Sequence, residues 1–266
     1  MFARINGASL HYRYRPRSGG PVLVFINSLG TDFRIWDDVA ESLAGRFALL
    51  CYDKRGHGLS ELGEAPATIA THAADLAGLL AHLQITKATL CGLSIGGLIA
   101  QGLYAARPEL IERLILCDTA ARIGTEQSWN DRIAATEGAG IASFADGVME
   151  KWFTPDFHRL RAAELAGYWT MLCRQSPSGY AAACAALRDA DYSANATAIA
   201  VPTLVVVGDQ DGSTPPALVR GLAAAIPGAR FSVVADAGHI PCVEQPEALT
   251  ALISAFMSEN RDGERP

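Results

Sequence analysis

The stretch Cys91-Gly92-Leu93-Ser94-Ile95-Gly96-Gly97 decides the fold. It reads G-x-S-x-G around Ser94. The apolar run Ala88-Thr89-Leu90-Cys91 precedes it and the helix-forming run Leu98 to Ala106 follows it. A serine in a sharp strand-to-helix turn is lifted out of the sheet in a strained backbone conformation, with its hydroxyl exposed. Gly92 and Gly96 suit such a turn, because side chains there would collide across it. The following helix points its N-terminus at the serine and favours negative charge developing beside it. Without its strand and helix, the pattern would be only a glycine-rich turn with an incidental serine.

Outward from this turn the chain keeps the same rhythm. Val22 to Ile26, Ala48 to Tyr52, Leu114 to Cys117, Thr203 to Val207 and Phe231 to Val234 are short apolar runs. Continuous runs of this kind mark strands buried on both faces, as in parallel sheets. Phe2 to Ile5 and Leu10 to Tyr14 flank Asn6-Gly7, which predicts a tight hairpin. Helical periods lie between the strands: Ile69, Ala73, Leu76, Leu80 and Leu83, and later Ala248, Leu249, Leu252, Ile253 and Phe256. Thr214 ahead of Pro215-Pro216 reads as an N-cap with proline at the first helical position. Strands alternating with helices predict an α/β fold, with a mostly parallel sheet and helices on both faces.

The rhythm breaks between residues 120 and 198. No buried strand is legible there, and three of the four tryptophans fall in it: Trp129, Trp152 and Trp169. The reading is a core domain of residues 1–119 and 199–266 carrying a helical cap insertion, 120–198. The cap is expected over the carboxyl ends of the strands, where open α/β sheets bind ligands. The polar tail from Glu259 to Pro266 is expected to fray.

Composition narrows the function classes. The 266 residues are half apolar and 19% charged, a globular balance. A net charge of −6 leaves no basic footprint for nucleic acid. It also means that an anionic substrate needs a local positive group. No apolar run is long enough to span a bilayer, and the first residues lack the apolar core of a signal peptide. The expectation is therefore a cytoplasmic protein with no membrane partner. The six scattered cysteines form no CxxC pair, and Cys51, Cys91 and Cys117 sit in strand-like runs as small buried hydrophobes. No phosphate-cradling loop or metal-ligand cluster stands out, so neither cofactor nor metal is expected.

A serine hydroxyl needs a base, and the base needs an orienting acid. In this architecture the partners follow the serine in the order acid, then histidine. Of the six histidines only His239, in Asp236-Ala237-Gly238-His239, lies beyond the last expected strand. His11 and His57 are read as structural, and His72 and His82 as decorating a helix. The acid should end a strand. Asp211 is the first choice, because its strand follows the insertion; Asp118 and Asp209 are the alternatives, with Asp209 better suited to shaping the turn. Acyl transfer also requires main-chain donors for a tetrahedral oxyanion. The N–H of Ile95, next after the serine, supplies one. The N–H of Leu29, in Asn27-Ser28-Leu29-Gly30 after the Val22–Ile26 run, is assigned as the other.

Tyr52-Asp53-Lys54-Arg55-Gly56-His57-Gly58-Leu59-Ser60 resembles the D-x-R-G-x-G-x-S segment of α/β-hydrolases, where it is structural. The resemblance runs from about residue 3 to 258. Within that superfamily the chain is most similar to the 3-oxoadipate enol-lactonases. Four stretches carry this: Asn27 to Asp32 with Trp36; Gly92 to Leu98; Cys117 to Thr125 with Trp129 and Arg132; and Gly208-Asp209-Gln210-Asp211 with Thr214-Pro215-Pro216. Asn27-Ser28 stands where many superfamily members have His-Gly, and this departure fits the lactonase group.

The resemblance implies a small anionic enol-lactone, opened to 3-oxoadipate in aromatic-acid degradation. Its carboxylate suits a bidentate guanidinium, for which Arg132 and Arg122 are the candidates. Trp129 and Trp152 are candidate pocket walls, with a core role equally open. Three alternatives remain: a broader carboxylesterase or a carbon–carbon bond hydrolase with the same three residues, and a non-catalytic receptor on the same scaffold. A homo-oligomer is left open.

Overall fold

The computed structural model describes residues 1–259. Of the tail expected to fray, Glu259 to Pro266, residues 260–266 lie outside the described residues. Eight strands form one sheet: β1 (Phe2–Ile5), β2 (Ala8–Arg15), β3 (Val22–Ile26), β4 (Ala48–Tyr52), β5 (Ala88–Leu93), β6 (Ile111–Cys117), β7 (Thr203–Gly208) and β8 (Arg230–Val234). Their order across the sheet is β1-β2-β4-β3-β5-β6-β7-β8. β2 runs antiparallel to β1 and β4, and the other neighbours are parallel. The sheet is mostly parallel, as the strand-like runs predict.

Local chemistry explains the elements. Ile5 pairs with Ala8 across Asn6-Gly7, both at positive φ (45° and 80°), as a two-residue hairpin requires. β4, β5 and β7 are buried at every position, which is why they carry no alternation. β2 is paired on both edges but alternates buried and half-buried residues, because one of its faces is less covered.

The helices are α1 (Asp37–Leu43), α2 (Ile69–His82), α3 (Ile95–Ala106), α4 (Glu126–Gly138), α5 (Ala145–Trp152), α6 (Pro155–Leu160), α7 (Ala162–Cys173), α8 (Pro177–Arg188), α9 (Ser193–Ala196), α10 (Pro216–Ala225), α11 (Pro241–Glu244) and α12 (Pro246–Ser258). α2 packs on α3, and α1 on α12. The segment between β6 and β7 holds α4 to α9 and no strand. Within it α4 packs on α8, and α5 on α7. Cys51, Cys91 and Cys117 are buried, and all six thiols are free.

Two details differ from the sequence reading. His72 does not decorate α2: it is 1% exposed, on the face that buries Ile69, Ala73 and Leu76. Thr214 is not the cap of α10, which starts at Pro216 after Pro215. Its hydroxyl is bound to a carboxylate instead, as described below.

The sheet order turns back at β3 and β5. β3 is followed in the chain by β4 on one side, while β5 lies on its other side. Ligand sites open beside such a switch point, at the carboxyl ends of the strands. Ile26 is in register with Gly92, and Leu93 with Cys117. The loops after β3, β5 and β6 therefore emerge side by side.

Candidate active site

Ser94 stands between β5 and α3 with φ 58° and ψ −119°, a backbone conformation rarely adopted by a residue with a side chain. The neighbours hold it there. Its N–H donates to the Cys117 carbonyl (3.0 Å), and its carbonyl accepts from Thr119 Oγ1 (2.7 Å). A Cβ on Gly92 would lie 2.3 Å from the Gly96 carbonyl oxygen, and one on Gly96 would lie 2.3 Å from that of Ile26. Only glycine lets β5, the turn and β3 approach so closely.

His239 follows β8 and is 2% exposed. Its Nδ1 lies 3.0 and 2.9 Å from the two carboxylate oxygens of Asp211. Asp211 is itself fixed by the turn that follows it. Ser213 N–H (2.7 Å) and Thr214 N–H (3.0 Å) donate to Oδ1, and Thr214 Oγ1 donates to Oδ2 (2.6 Å). Burial works to raise the Asp211 pKa. The His239 ring beside it, and then the Thr214 bonds, outweigh that effect and hold it below the usual carboxylate range. A carboxylate kept ionised against Nδ1 leaves Nε2 as the free ring nitrogen.

Asp118 and Asp209, the alternative acids, are placed differently. Asp209 accepts from Ala237 N–H and shapes the turn. Asp118 is fully buried at positive φ (47°), and its Oδ1 accepts from Gly208 N–H (2.8 Å). Burial first, and the Asp211 charge next, push its carboxyl well above the usual range, opposite to the shift of Asp211. One atom each from Asp118, Asp211 and His239 would fit a metal's ligand set. Those of Asp211 and His239 already satisfy one another and the Ser213–Thr214 turn, which makes the group an acid–base cluster.

Ser94 and His239 line the same cavity of about 180 Å³, as do Ser28 and Leu29. The N–H groups of Leu29 and Ile95 donate to no other described residue. The roof comes from the helical segment between β6 and β7. Trp129, Arg132 and Trp152 all line the cavity, and so does Lys151. Trp129 Nε1 donates to the Ile123 carbonyl (2.6 Å), and the 4% exposed Trp152 is walled in. The Arg132 guanidinium lies 4.4 Å from the Phe144 ring centre and donates to Tyr180 Oη (3.1 Å), which leaves other N–H groups of the fork without a partner among the described residues.

Arg122 is the correction. It is turned to solvent, 3.7 Å from Asp191, and does not line the cavity. Ile123 beside it packs inward instead, so the side chain of Arg122 is directed away.

Sequence reasoning missed three residues. Lys151 is a second cation at the cavity, hidden because nothing in its own segment marks its direction. Thr214 could have been found from the spacing Asp211-x-x-Thr214, a turn in which the acid accepts from the residues after it. Glu244, 8% exposed, accepts from Thr154 N–H (3.0 Å), from Thr154 Oγ1 and from Gly238 N–H (2.8 Å). It ties the helical segment to the loop that carries His239. The backbone repeats the tie: His239 N–H donates to the Trp152 carbonyl (2.8 Å), and Gly212 N–H to that of Lys151 (3.3 Å).

This sheet and this strand-to-helix turn are those of one class of protein, and residues 23–252 match the model of the alpha/beta hydrolase family. The chain belongs to that family. It is 35% identical to 3-oxoadipate enol-lactonase 2 of Acinetobacter baylyi over 249 residues, 94% of this chain and 93% of that one. Among solved structures it superposes on the enol-lactonase of Burkholderia xenovorans LB400 with a TM-score of 0.94 and 39% identity, covering 97% of this chain and all of that one. A thermophilic esterase from Thermogutta terrifontis matches with a TM-score of 0.89 and 31% identity, over 95% of this chain and 94% of that one. Family and relatives together support hydrolase activity.

Proposed function

We propose that the chain is a serine hydrolase that opens a small anionic enol-lactone, 3-oxoadipate enol-lactone, to 3-oxoadipate in aromatic-compound degradation. The observation that carries this reading is one cavity shared by Ser94, the Asp211-held His239 and two cations, Arg132 and Lys151. The enol-lactonase relatives support the choice of substrate.

Ser94 Oγ attacks the lactone carbonyl carbon and passes its proton to His239 Nε2. The oxyanion is held by the N–H groups of Leu29 and Ile95. Collapse breaks the ring C–O bond, and the His239 proton goes to the departing enol oxygen, which later tautomerises to a ketone. Water, losing its proton to His239, then attacks the acyl-enzyme, and Ser94 leaves with that proton. Asp211 orients the ring and stabilises its cationic form throughout. The roof helices keep the acyl-enzyme in a cavity sized for a small acid, and the Arg132 fork meets the substrate carboxylate.

The test is kcat/KM for enzymatically generated enol-lactone against 4-nitrophenyl acetate, in wild type and Arg132→Ala. A charge-assisted contact worth about 1.5–3 kcal/mol corresponds to roughly 10–150-fold. The substitution is expected to raise KM for the lactone by that order and to leave the neutral ester nearly unchanged. A wild-type preference for the aryl ester would favour a broader carboxylesterase, in keeping with the Thermogutta relative. A parallel change in both substrates would remove the carboxylate clamp.

A further inference from the structure

The amine of Lys54 has no part in the reaction as described so far. It follows β4 and is 0% exposed, and its one hydrogen bond among the described residues goes to the Ser28 carbonyl at 2.5 Å. A buried ammonium costs several kcal/mol of desolvation, and an apolar side chain of the same length would pack there more cheaply. Its bond falls on the loop after β3. The Ser28 carbonyl also accepts from Thr31 Oγ1 (2.9 Å) and Thr31 N–H (3.4 Å). The next amide, Gly30 N–H, donates to His57 Nε2 (3.1 Å).

The Ser28 carbonyl and the Leu29 N–H belong to one planar trans peptide and point in opposite directions. Fixing the oxygen on Lys54 and Thr31 therefore aims the Leu29 N–H away from them. That N–H has no acceptor among the described residues, and Leu29 lines the cavity with Ser94. A charged donor on the carbonyl also polarises the amide and makes its N–H a stronger donor.

We propose that Lys54 is a positioning residue for the oxyanion hole: its ammonium, with Thr31, locks the Ser28–Leu29 peptide so that the Leu29 N–H is aimed and polarised toward the charge developing on the substrate carbonyl. This rests on the serine-hydrolase reading above. The groups around Lys54 are Asp53 beside it, Asp32 after the oxyanion loop, His57 two residues beyond Arg55 and His72 from α2. Burial pulls the amine down to about 7 against the pull of Asp53 and Asp32. The ammonium is lost as pH rises through that value, and the polarisation weakens with it.

The test uses Lys54→Met and Thr31→Val, 4-nitrophenyl acetate as substrate, and phenylboronic acid, whose adduct with a serine is a tetrahedral anion. Losing an oxyanion donor outright costs about 10²–10³ in kcat. Misaiming one is expected to cost roughly 10–100-fold in Lys54→Met and 3–10-fold in Thr31→Val, by the same principle. KM should stay within about twofold and boronate affinity should fall in step, as expected of an interaction made only in the transition state. The decline of wild-type kcat above pH about 7 should be missing in Lys54→Met. Thermal melting separates this from a structural role: a variant as stable as wild type with lowered kcat supports the proposal. If Lys54→Met does not fold, Thr31→Val carries the test. Unchanged kcat and boronate affinity in a folded variant overturn the proposal while an active wild type keeps the hydrolase reading. A wild type that hydrolyses neither the enol-lactone nor the ester, and does not bind the boronate, overturns both.

Discussion

Asp118 and Asp211 lie side by side at the carboxyl ends of the strands, and burial and bonding shift their carboxyl groups in opposite directions. Asp211 has Thr214, two turn amides and the His239 ring to favour its charge. Among the described residues Asp118 has one backbone donor, and its Oδ2 has no partner. Replacing each by asparagine therefore has unlike consequences. Asp211→Asn is expected to lower kcat by about 10⁴, because the ring loses its orienting acid. Asp118→Asn keeps the shape of the group and an acceptor for Gly208 N–H, and should keep kcat within about tenfold, the scale of one hydrogen bond.

Stability carries the sign of the shift. The unfolded Asp118 ionises near pH 4, whereas the folded one keeps its proton above that. In that window the folded state binds more protons, so this group's contribution falls as pH rises. Asp211, shifted the other way, contributes above pH about 4 and loses its contribution as acid protonates it. Denaturant titrations from pH 4 to 8 should show Asp118→Asn gaining on wild type as pH rises. A constant gap between the two would show that Asp118 ionises normally.

At the scale of elements, the site depends on how the helical segment is fastened to the sheet. The Trp152 and Lys151 carbonyls accept from His239 and Gly212, and Glu244 joins Thr154 to Gly238. Glu244→Ala leaves three buried donors without their acceptor. At about 1–3 kcal/mol for each unsatisfied group, partly relieved by relaxation, the cost should be about 3 kcal/mol. In a chain of this length that is about 6–12 °C in Tm. Turnover should fall too, because the loop bearing His239 loses one of its ties. Calorimetry and kcat on the same preparation check this; a variant that melts with wild type would mean that the backbone ties suffice.

Element-scale patterns were also the most legible in the sequence. Apolar runs of five residues, the Asn6-Gly7 turn and the glycines around Ser94 are local signals with local causes. What failed was direction. His72 is three residues after Ile69 and one before Ala73, so its place on the buried face could have been read from helical spacing. Pro215-Pro216 after Thr214 reads as a helix start with Thr214 as its cap, yet its bond to Asp211 outcompetes that use. The arginines could not be ranked by sequence alone. Arg132 and Arg122 both flank the entrance to the helical segment, and only packing turns one onto Phe144 and the other into solvent.

At the scale of the whole molecule, a parallel sheet that reverses between β3 and β5 places three distant loops at one edge. Residues 28–29, 94 and 239 reach one cavity because strand register aligns their strand ends, while residues from the helical segment close it from above. Within the described residues no helix is long and apolar enough to cross a membrane. With a net charge of −6, the positive groups at the cavity are local exceptions to the general field. This supports an anionic small molecule as the occupant.

The central claim is that the hydroxyl of Ser94 is the nucleophile and His239 its base. Intact-protein mass spectrometry after diisopropyl fluorophosphate treatment, followed by peptide mapping, tests it most directly. The account predicts a single adduct on Ser94, absent in Ser94→Ala and formed at least about 10³-fold more slowly in His239→Ala. An adduct on another residue, or equal labelling rates with and without the imidazole, would contradict it.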